Sequence, residues 1–227
     1  MLYKSQVYTQ ASGSIGGITY SRNAGGLYTR ARATPTNPNS PQQQVVRALV
    51  GAISAYWRDT LSAANRALWE TYAVNTPIVN RVGDSINISG LAHFVRSNVP
   101  RVQSGLALVE AGPTTFGLPS LDTVTVAAVD AAADEVDLTT NLLDSWWTAA
   151  TSALLVYSSR PQSPTINYFK GPFRFAGKQV GGGVPANPVT VALAFPVVAA
   201  QKAFVRVQAT LDDGRLSMPQ FLSGTAA

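Results

Sequence analysis

The chemistry open to this chain is limited, because it contains one histidine and no cysteine. His93 lies beside Phe94 in a predicted helix, and no carboxylate is near enough in sequence to complete a metal site with it. A Ser/His/Asp triad would need His93, but no serine stands in the G-x-S-x-G motif that presents such a nucleophile. A Walker A lysine motif and a G-x-G-x-x-G fingerprint followed by a helix are also absent. We therefore expect no enzyme, and no catalytic, cofactor-binding or metal-binding residues.

Two groups of acidic residues could suggest a cation site, but turns explain both better. The segment 212–214, Asp-Asp-Gly, lies between two strand-like segments and is typical of a hairpin turn. Asp134 belongs to a turn-like segment, and Glu135 and Asp137 alternate on what would be the solvent side of a strand. No cofactor is expected from these residues.

The charge of the chain is unevenly distributed. Only 13% of the residues are charged, about half of the roughly 25% that is usual in globular proteins. Residues 1–105 carry a net charge of +7 and residues 106–227 a net charge of −2. No acidic residue precedes Asp59, whereas six basic residues occur up to position 58: Lys4, Arg22, Arg30, Arg32, Arg47 and Arg58. An asymmetry of this kind favours a partner surface in the first half of the chain.

Residues 1–40 are predicted to form an extended basic arm. Positions 12–41 are rich in Gly, Ser, Thr, Asn and Pro, so they cannot bury enough apolar surface to offset the entropy of ordering the backbone. Short strand-like pieces are expected at 3–8, 18–21 and 27–32. Tyrosines and arginines that lie side by side in these pieces are the candidate partner-binding residues: Tyr20, Tyr28, Arg22, Arg30 and Arg32.

Two kinds of partner fit such an arm. Interleaved tyrosine and arginine suit single-stranded nucleic acid, through stacking and phosphate contacts. An extended arm also suits the edge of another protein's sheet, where main-chain hydrogen bonds hold it and arginine pairs with acidic groups. Because the basic residues are dilute, we favour the protein partner over nucleic acid.

Residues 41–109 are predicted to form a small helical module. Ser40, Pro41 and Gln43 have the types and spacing of a capping box with proline at the first helical position. Apolar residues then recur every three or four positions, and Ser62 offers the N-cap of a second helix. The short connection between the two predicts an antiparallel helical hairpin. A third helix is expected from Ser89 to about residue 98, closed by Pro100.

Residues 110–227 are predicted to form an all-β immunoglobulin- or fibronectin-III-like sandwich. Six or seven strand-like runs lie between turn signals. The runs are 123–126, 135–138, 153–157, 168–175, 189–195 and 204–208. Trp146 and Trp147 are interpreted as strand neighbours on opposite faces, one buried and the other available as an interface anchor.

Neither a membrane span nor a signal peptide is expected. The most apolar window, 189–200, covers 12 residues, whereas a helical span needs about 20. The first residues lack the apolar stretch of a secretory signal.

The order of several motifs resembles that of an uncharacterised group of tailed-bacteriophage proteins. The glycine-rich segment 13–30 is followed by Asn37-Pro38, by Pro41-Gln-Gln-Gln44 and by a tryptophan-containing hairpin with Trp57 and Trp69. Gly90 and the segment 94–96 extend the likeness, which covers residues 12–98. The resemblance implies a structural protein of the virion and supplies no catalytic residues. It also implies that the partners are other virion proteins, with the major capsid protein as the main partner, and that the chain associates with itself.

The expected function is that of a capsid-bound decoration, cement or head-fibre-type protein, anchored by its arm and located in the virion after synthesis in the host cytoplasm. One alternative is a tail or receptor-binding component that uses the sandwich on cell-surface sugars. A second alternative is a nucleic-acid-binding protein that uses the basic arm. The expected fold class is α+β and multidomain, with arm, helical module and sandwich in that order.

Overall fold

The computed structural model describes residues 11–23, 26–34, 36–79, 84–183 and 187–227, and the predicted strand at 3–8 lies outside them. Three α-helices and several antiparallel sheets occur in this described part, so the mixed α and β character is confirmed. The chain divides into two units, Met1–Gln43 and Gln44–Ala227. The two units are treated separately below.

The first unit contains a three-stranded antiparallel sheet. Strands β1 (Gly13–Ile15), β2 (Ile18–Asn23) and β3 (Gly26–Ala31) pair in the order β1-β2-β3. Ile15 pairs with Ile18 across a two-residue turn, and Gly16 in that turn has a φ of 58°, which glycine adopts without strain. The predicted pieces 18–21 and 27–32 correspond to β2 and β3, but their pairing into a sheet was not predicted. Residues 32–34 and 36–40 have no regular secondary structure.

The first two helices begin where their capping residues predict. Helix α1 (Pro41–Asp59) follows a reciprocal pair of bonds, in which the Ser40 N–H donates to Gln43 Oε1 (3.3 Å) and the Gln43 N–H donates to Ser40 Oγ (3.4 Å). Helix α2 (Ala63–Asn75) starts after Ser62, whose side chain accepts the Asn65 N–H at 3.2 Å. Both N-cap predictions are confirmed, because each serine satisfies an N–H that has no partner inside the helix.

The predicted end of the third helix is wrong. After β4 (Ile78–Val79) and β5 (Ser85–Ile86), helix α3 (Gly90–Gln103) runs through Pro100 instead of stopping before it. The Pro100 carbonyl accepts the Ser104 N–H at 3.0 Å, so the last turn is still bonded. Arg101 in that turn is buried and bonded to the β-strand region, and these contacts offset the backbone bond that proline cannot make.

Aromatic side chains fill the core of the helical part. Trp69 lies edge-on to both Tyr72 and Phe94, with ring centroids 5.9 and 5.6 Å apart. Trp57 packs on Phe94 at 5.3 Å. The tryptophans of the predicted hairpin therefore support packing and do not form a ligand cage. No helix in the described part is both long and apolar enough to cross a membrane.

Among the described residues, seven strands follow in two antiparallel sheets, in agreement with the six or seven predicted. One sheet has the order β10-β7-β6, made of β6 (Thr125–Asp130), β7 (Glu135–Thr139) and β10 (Val189–Ala192). The other has the order β12-β11-β8-β9, made of the four strands β8 (Ala153–Ser158), β9 (Arg174–Val180), β11 (Lys202–Thr210) and β12 (Gln220–Thr225). Residues of both sheets share one apolar core, which includes Val136, Leu138, Leu154, Val205 and Val207.

Two strands of the larger sheet differ from the prediction. A strand was expected at 168–175, but β9 begins only at Arg174, because Gly171 has a φ of 123° and Pro172 has no N–H to donate to a sheet. β12 was not predicted, since its sequence lacks a run of β-branched residues. Gly224 in this strand is required by packing, because a Cβ there would lie 2.7 Å from Val126 Cγ1 and Val129 Cγ2.

The helices and the strands of the second unit are joined by buried polar contacts. Arg96 donates to the carbonyls of Leu216 (3.2 Å) and Ser217 (3.3 Å). Lys178 on β9 donates to the Ser104 carbonyl at 2.6 Å. The predicted boundary near residue 109 therefore lies inside one compact unit.

Candidate interaction surfaces

The predicted partner-binding residues of the N-terminal sheet do not share one face. Tyr20 pairs with Thr29, whereas Tyr28 pairs with Ser21 and Arg30 with Thr19. Paired residues lie on the same face and neighbours alternate, so Tyr20 lies on one face while Tyr28 and Arg30 lie on the other.

Arg32 and Arg22 occupy the ends of the same sheet. The Arg32 N–H donates to the Gly17 carbonyl at 2.8 Å, so the strand pairing continues and Arg32 follows Arg30 on its face. The Arg22 backbone pairs with Leu27, and the placement of the Arg22 side chain lies outside the described part. Tyr28, Arg30 and Arg32 therefore form one candidate surface, in which both arginines are exposed and the tyrosine is half-buried.

The N-terminal sheet also leaves its edges open among the described residues. β1 and β3 are the outer strands of the order β1-β2-β3. At the β1–β2 turn, Ile15 is 78% exposed and Ile18 is 46% exposed. Outer strands with unpaired backbone groups and exposed apolar side chains can accept a strand from a partner.

The interpretation of Trp146 and Trp147 as strand neighbours on opposite faces is wrong. Both lie in a short 3₁₀-helix (Ser145–Trp147), and both are buried, at 0% and 5% exposure. Their rings stack with centroids 3.9 Å apart, which a strand would not allow for adjacent residues. Because both rings belong to the core between the sheets, neither offers an exposed anchor in this structure.

His93 is a core histidine of the helical part. The ring is fully buried and lies edge-on to Tyr72, with centroids 5.0 Å apart. Burial lowers the pKa of His93, and the nearby positive charge of Arg96 lowers it further. No group of three or more metal-ligating side chains occurs in the described residues.

A second candidate surface lies at the end of the larger sheet, where two arginines share one aromatic ring. The guanidinium carbons of Arg160 and Arg174 lie 5.5 and 5.1 Å from the centroid of Phe195. Both arginines are exposed and Phe195 is half-buried. The residues Arg160, Arg174 and Phe195 are called the Phe195 cluster below.

Ser158 brings the three residues of the Phe195 cluster together. It is the last residue of β8 and pairs with Arg174 at the start of β9. Its buried hydroxyl accepts the Ala194 N–H at 2.9 Å, which fixes the segment carrying Phe195 beside the end of β8. Arg160 follows Ser158 by two residues, so one strand end positions both arginines and the ring between them.

A cavity of about 270 Å³ adjoins the Phe195 cluster. Besides the cluster itself, its lining consists of Gln162, Phe169 and Pro172. Phe169 also lines a neighbouring cavity of about 150 Å³ and packs edge-on against Phe173, with centroids 5.4 Å apart. Aromatic walls beside two cations can hold a small anionic molecule with an apolar side.

Neither arginine of the Phe195 cluster forms an ion pair in the described residues. Carboxylate partners are taken by other arginines, in the pairs Arg58–Asp59 and Arg215–Asp213. Asp134, in the turn after β6, is also engaged, because its Oδ1 accepts the Val197 N–H at 2.7 Å.

This second surface was not predicted from the sequence. Its signal is an acid-free stretch from 145 to 211, which the net charge of −2 for residues 106–227 conceals. Six basic residues lie in this stretch: Arg160, Lys170, Arg174, Lys178, Lys202 and Arg206.

Comparison of the chain with protein-family models, curated proteins and solved structures finds no match. The two candidate surfaces and the resemblance in sequence are therefore the features that bear on function.

Proposed function

We propose that the chain is a non-catalytic structural protein of a tailed-bacteriophage virion, bound to the capsid as a decoration, cement or head-fibre-type protein. The observation that carries this proposal is that residues Met1–Gln43 form a compact unit of their own. Among the described residues, its small sheet has no further strand on either edge, and it carries the exposed cations Arg30 and Arg32. These features suit an anchor on an assembled protein surface.

The limited core of the N-terminal sheet supports an anchoring role. A three-stranded sheet needs an apolar face or a packing partner to be stable by itself. All three residues of β1 are exposed, and Ile15 and Ile18 at the turn are exposed as well. A strand or sheet edge from a capsid protein would cover these groups, while acidic groups on that protein would pair with Arg30 and Arg32.

We further propose that the two sheets of residues 125–225 form an immunoglobulin- or fibronectin-III-like sandwich that projects from the particle or mediates self-association. The shared core of the two sheets supports this proposal, as does the close packing of β12 on β6 at Gly224.

Co-sedimentation with empty shells of the phage that encodes this chain tests the capsid proposal. The double variant R30Q/R32Q should bind at least about tenfold more weakly than wild type, since two charge-assisted contacts are lost. The variant K170Q is the matched control, because Lys170 is an exposed cation in the other unit. Equal binding by wild type and R30Q/R32Q would contradict anchoring through this face.

The same particles separate the two alternatives. Binding of DNA or RNA with steep salt dependence, without binding to shells, would replace the capsid proposal with a nucleic-acid-binding function. Labelling of purified particles only at the tail tip would replace it with a tail or receptor-binding function.

A further inference from the structure

The two arginines of the Phe195 cluster form an incomplete electrostatic arrangement. Arg160 and Arg174 are like charges held on one ring, at 5.5 and 5.1 Å from its centroid. The ring quadrupole attracts each cation but does not neutralise either of them. Both arginines also line the same cavity, so an anion in that cavity that contacts both would offset their like charge through charge-assisted hydrogen bonds.

The remaining cations of the acid-free stretch 145–211 are engaged elsewhere, with the exception of the exposed Lys170. Lys178 donates to the Ser104 carbonyl at 2.6 Å. Lys202 lies 5.6 Å from the centroid of Phe204 and 3.4 Å from Asn167 Oδ1. Arg206 lies 4.1 Å from the centroid of Tyr157. Lys178, Lys202 and Arg206 are also half-buried, whereas Arg160, Lys170 and Arg174 are exposed. The described part of this stretch therefore lacks the long row of exposed cations that suits a nucleic-acid backbone, and a single anionic group fits better.

The backbone that carries Arg160 is held in place before any ligand binds. Its carbonyl accepts hydrogen bonds from the Ser159 hydroxyl (2.8 Å) and from Gln162 Nε2 (2.9 Å). Because Gln162 donates through Nε2, its Oε1 is left as an acceptor at the cavity. Ser158 fixes the segment that carries Phe195. A preformed site of this kind loses little entropy when it binds a ligand.

The cavity defines the rest of the ligand. Its volume of about 270 Å³ has room for one six-membered ring, and Phe169, Pro172 and Phe195 give it apolar walls. Gln162 can accept a hydroxyl hydrogen. The complementary molecule has a carboxylate, an apolar ring face and hydroxyl groups.

We propose that this cavity binds a carboxylate-bearing sugar residue, with Arg160 and Arg174 holding the carboxylate and Phe169 contacting the apolar face of the sugar ring. The inference goes beyond the proposed virion function and uses a different unit from the N-terminal anchor. The loss of either activity therefore leaves the other measurable.

Isothermal titration calorimetry of the full chain with trigalacturonate tests the proposal, with fully methyl-esterified trigalacturonate as the matched ligand. Esterification keeps the sugar rings and removes the charge, so we expect the ester to bind at least about tenfold more weakly than the acid. R160Q and R174Q should each weaken binding of the acid by about tenfold. K170Q removes an exposed cation outside the cavity lining and should leave binding unchanged.

Several results would overturn the proposal. The acid and its ester differ in charge, so equal affinity of wild-type protein for both would refute recognition of the carboxylate. If K170Q lost as much affinity for trigalacturonate as R160Q and R174Q, binding would depend on the overall positive charge and not on the two arginines of the cavity. Absence of binding at about 10 mM trigalacturonate would show that no usable site exists. Tighter binding of an octathymidylate, with steep salt dependence, would assign the surface to nucleic acid instead.

Discussion

Replacing Arg101 with methionine should strongly destabilise the second unit, because this side chain links the last turn of α3 to the strands. Arg101 is 1% exposed and has no carboxylate partner among the described residues. Nε donates to the Ala107 carbonyl (3.1 Å), while Nη2 donates to the Thr151 carbonyl (3.1 Å). Nη1 donates to Thr210 Oγ1 (3.1 Å) and to the Leu211 carbonyl (2.5 Å). Burial lowers the pKa of Arg101, so these bonds offset a cost of removing the cation from water.

The size of the effect follows from the acceptors that methionine would leave behind. The Leu211 carbonyl keeps a partner, because it also accepts the Gly214 N–H at 3.1 Å. Among the other three acceptors, Thr210 Oγ1 belongs to a buried residue, and leaving it unsatisfied costs about 1–3 kcal/mol. Ala107 and Thr151 are exposed, so water can bond to their carbonyls, and each lost bond costs about 0.5–1.5 kcal/mol. Methionine fills part of the volume and the desolvation cost of the cation disappears. We therefore expect the free energy of unfolding to fall by about 2–4 kcal/mol, a large part of the roughly 5–15 kcal/mol of a typical domain.

Urea denaturation with hydrogen-exchange readout tests this prediction. In wild type, peptides from α2 and α3 should lose protection at the same urea concentration as peptides from β8 and β11, since the helices and strands form one unit. In R101M all of them should lose it at a lower concentration. R58M is the control, because Arg58 is 74% exposed in its side chain and the expected loss is below about 0.5 kcal/mol. A loss below about 1 kcal/mol in R101M, or separate helix and strand transitions in wild type, would refute the reasoning.

Three further predictions concern single positions. Because burial lowers the pKa of His93 in the folded chain, this histidine is protonated at a higher pH in the unfolded chain than in the folded chain. The free energy of unfolding should therefore decrease by up to about 1.4 kcal/mol per pH unit as pH falls below about 6.5. Urea midpoints measured from pH 7 to 5 should show this slope, and the same slope in H93F would assign it to other groups. S62A should cost about 1 kcal/mol by loss of the bond to the Asn65 N–H, whereas S62D should keep the cap; equal melting temperatures for the two would show that the cap contributes nothing. G181A should cost about 3 kcal/mol, because its Cβ would lie 2.1 Å from the Trp146 carbonyl oxygen. Gly183 has open space around it, so G183A is the control, and similar melting temperatures for the two variants would contradict this steric argument.

Local signals predicted the helices well, because the residues that start a helix also satisfy its free N–H groups. Ser40 with Gln43, and Ser62 by itself, were read correctly for this reason. Pro100 was misread, since its cost to the helix is offset by contacts of Arg101 with residues more than 100 positions away in sequence. A prediction made from neighbours in sequence cannot include such contacts.

The strands and the second surface depended more on tertiary contacts. The strand β12 could be identified only from its pairing with β11. The burial of both Trp146 and Trp147 could be identified only from the short helix that contains them. The Phe195 cluster combines residues from three separate segments, which Ser158 joins through one hydroxyl and one strand pair. Its basic character was visible in the sequence, but the ring shared by Arg160 and Arg174 was not.

In the first half of the chain, fewer basic residues are available for anchoring than the net charge of +7 indicates. Ten basic residues give residues 1–105 their charge of +7. Arg96 and Arg101 bond to carbonyls of the segment that follows β11, and Arg58 pairs with Asp59. Arg30 and Arg32 are exposed on one face of the N-terminal sheet. Binding to shells should therefore show the moderate salt dependence of a few contacts, and that dependence should be smaller in R30Q/R32Q than in wild type. Co-sedimentation at several salt concentrations measures both slopes. Parallel slopes would show that the charge used for binding lies elsewhere in the chain, and the exposed face of the N-terminal sheet would then contribute through its backbone edges alone.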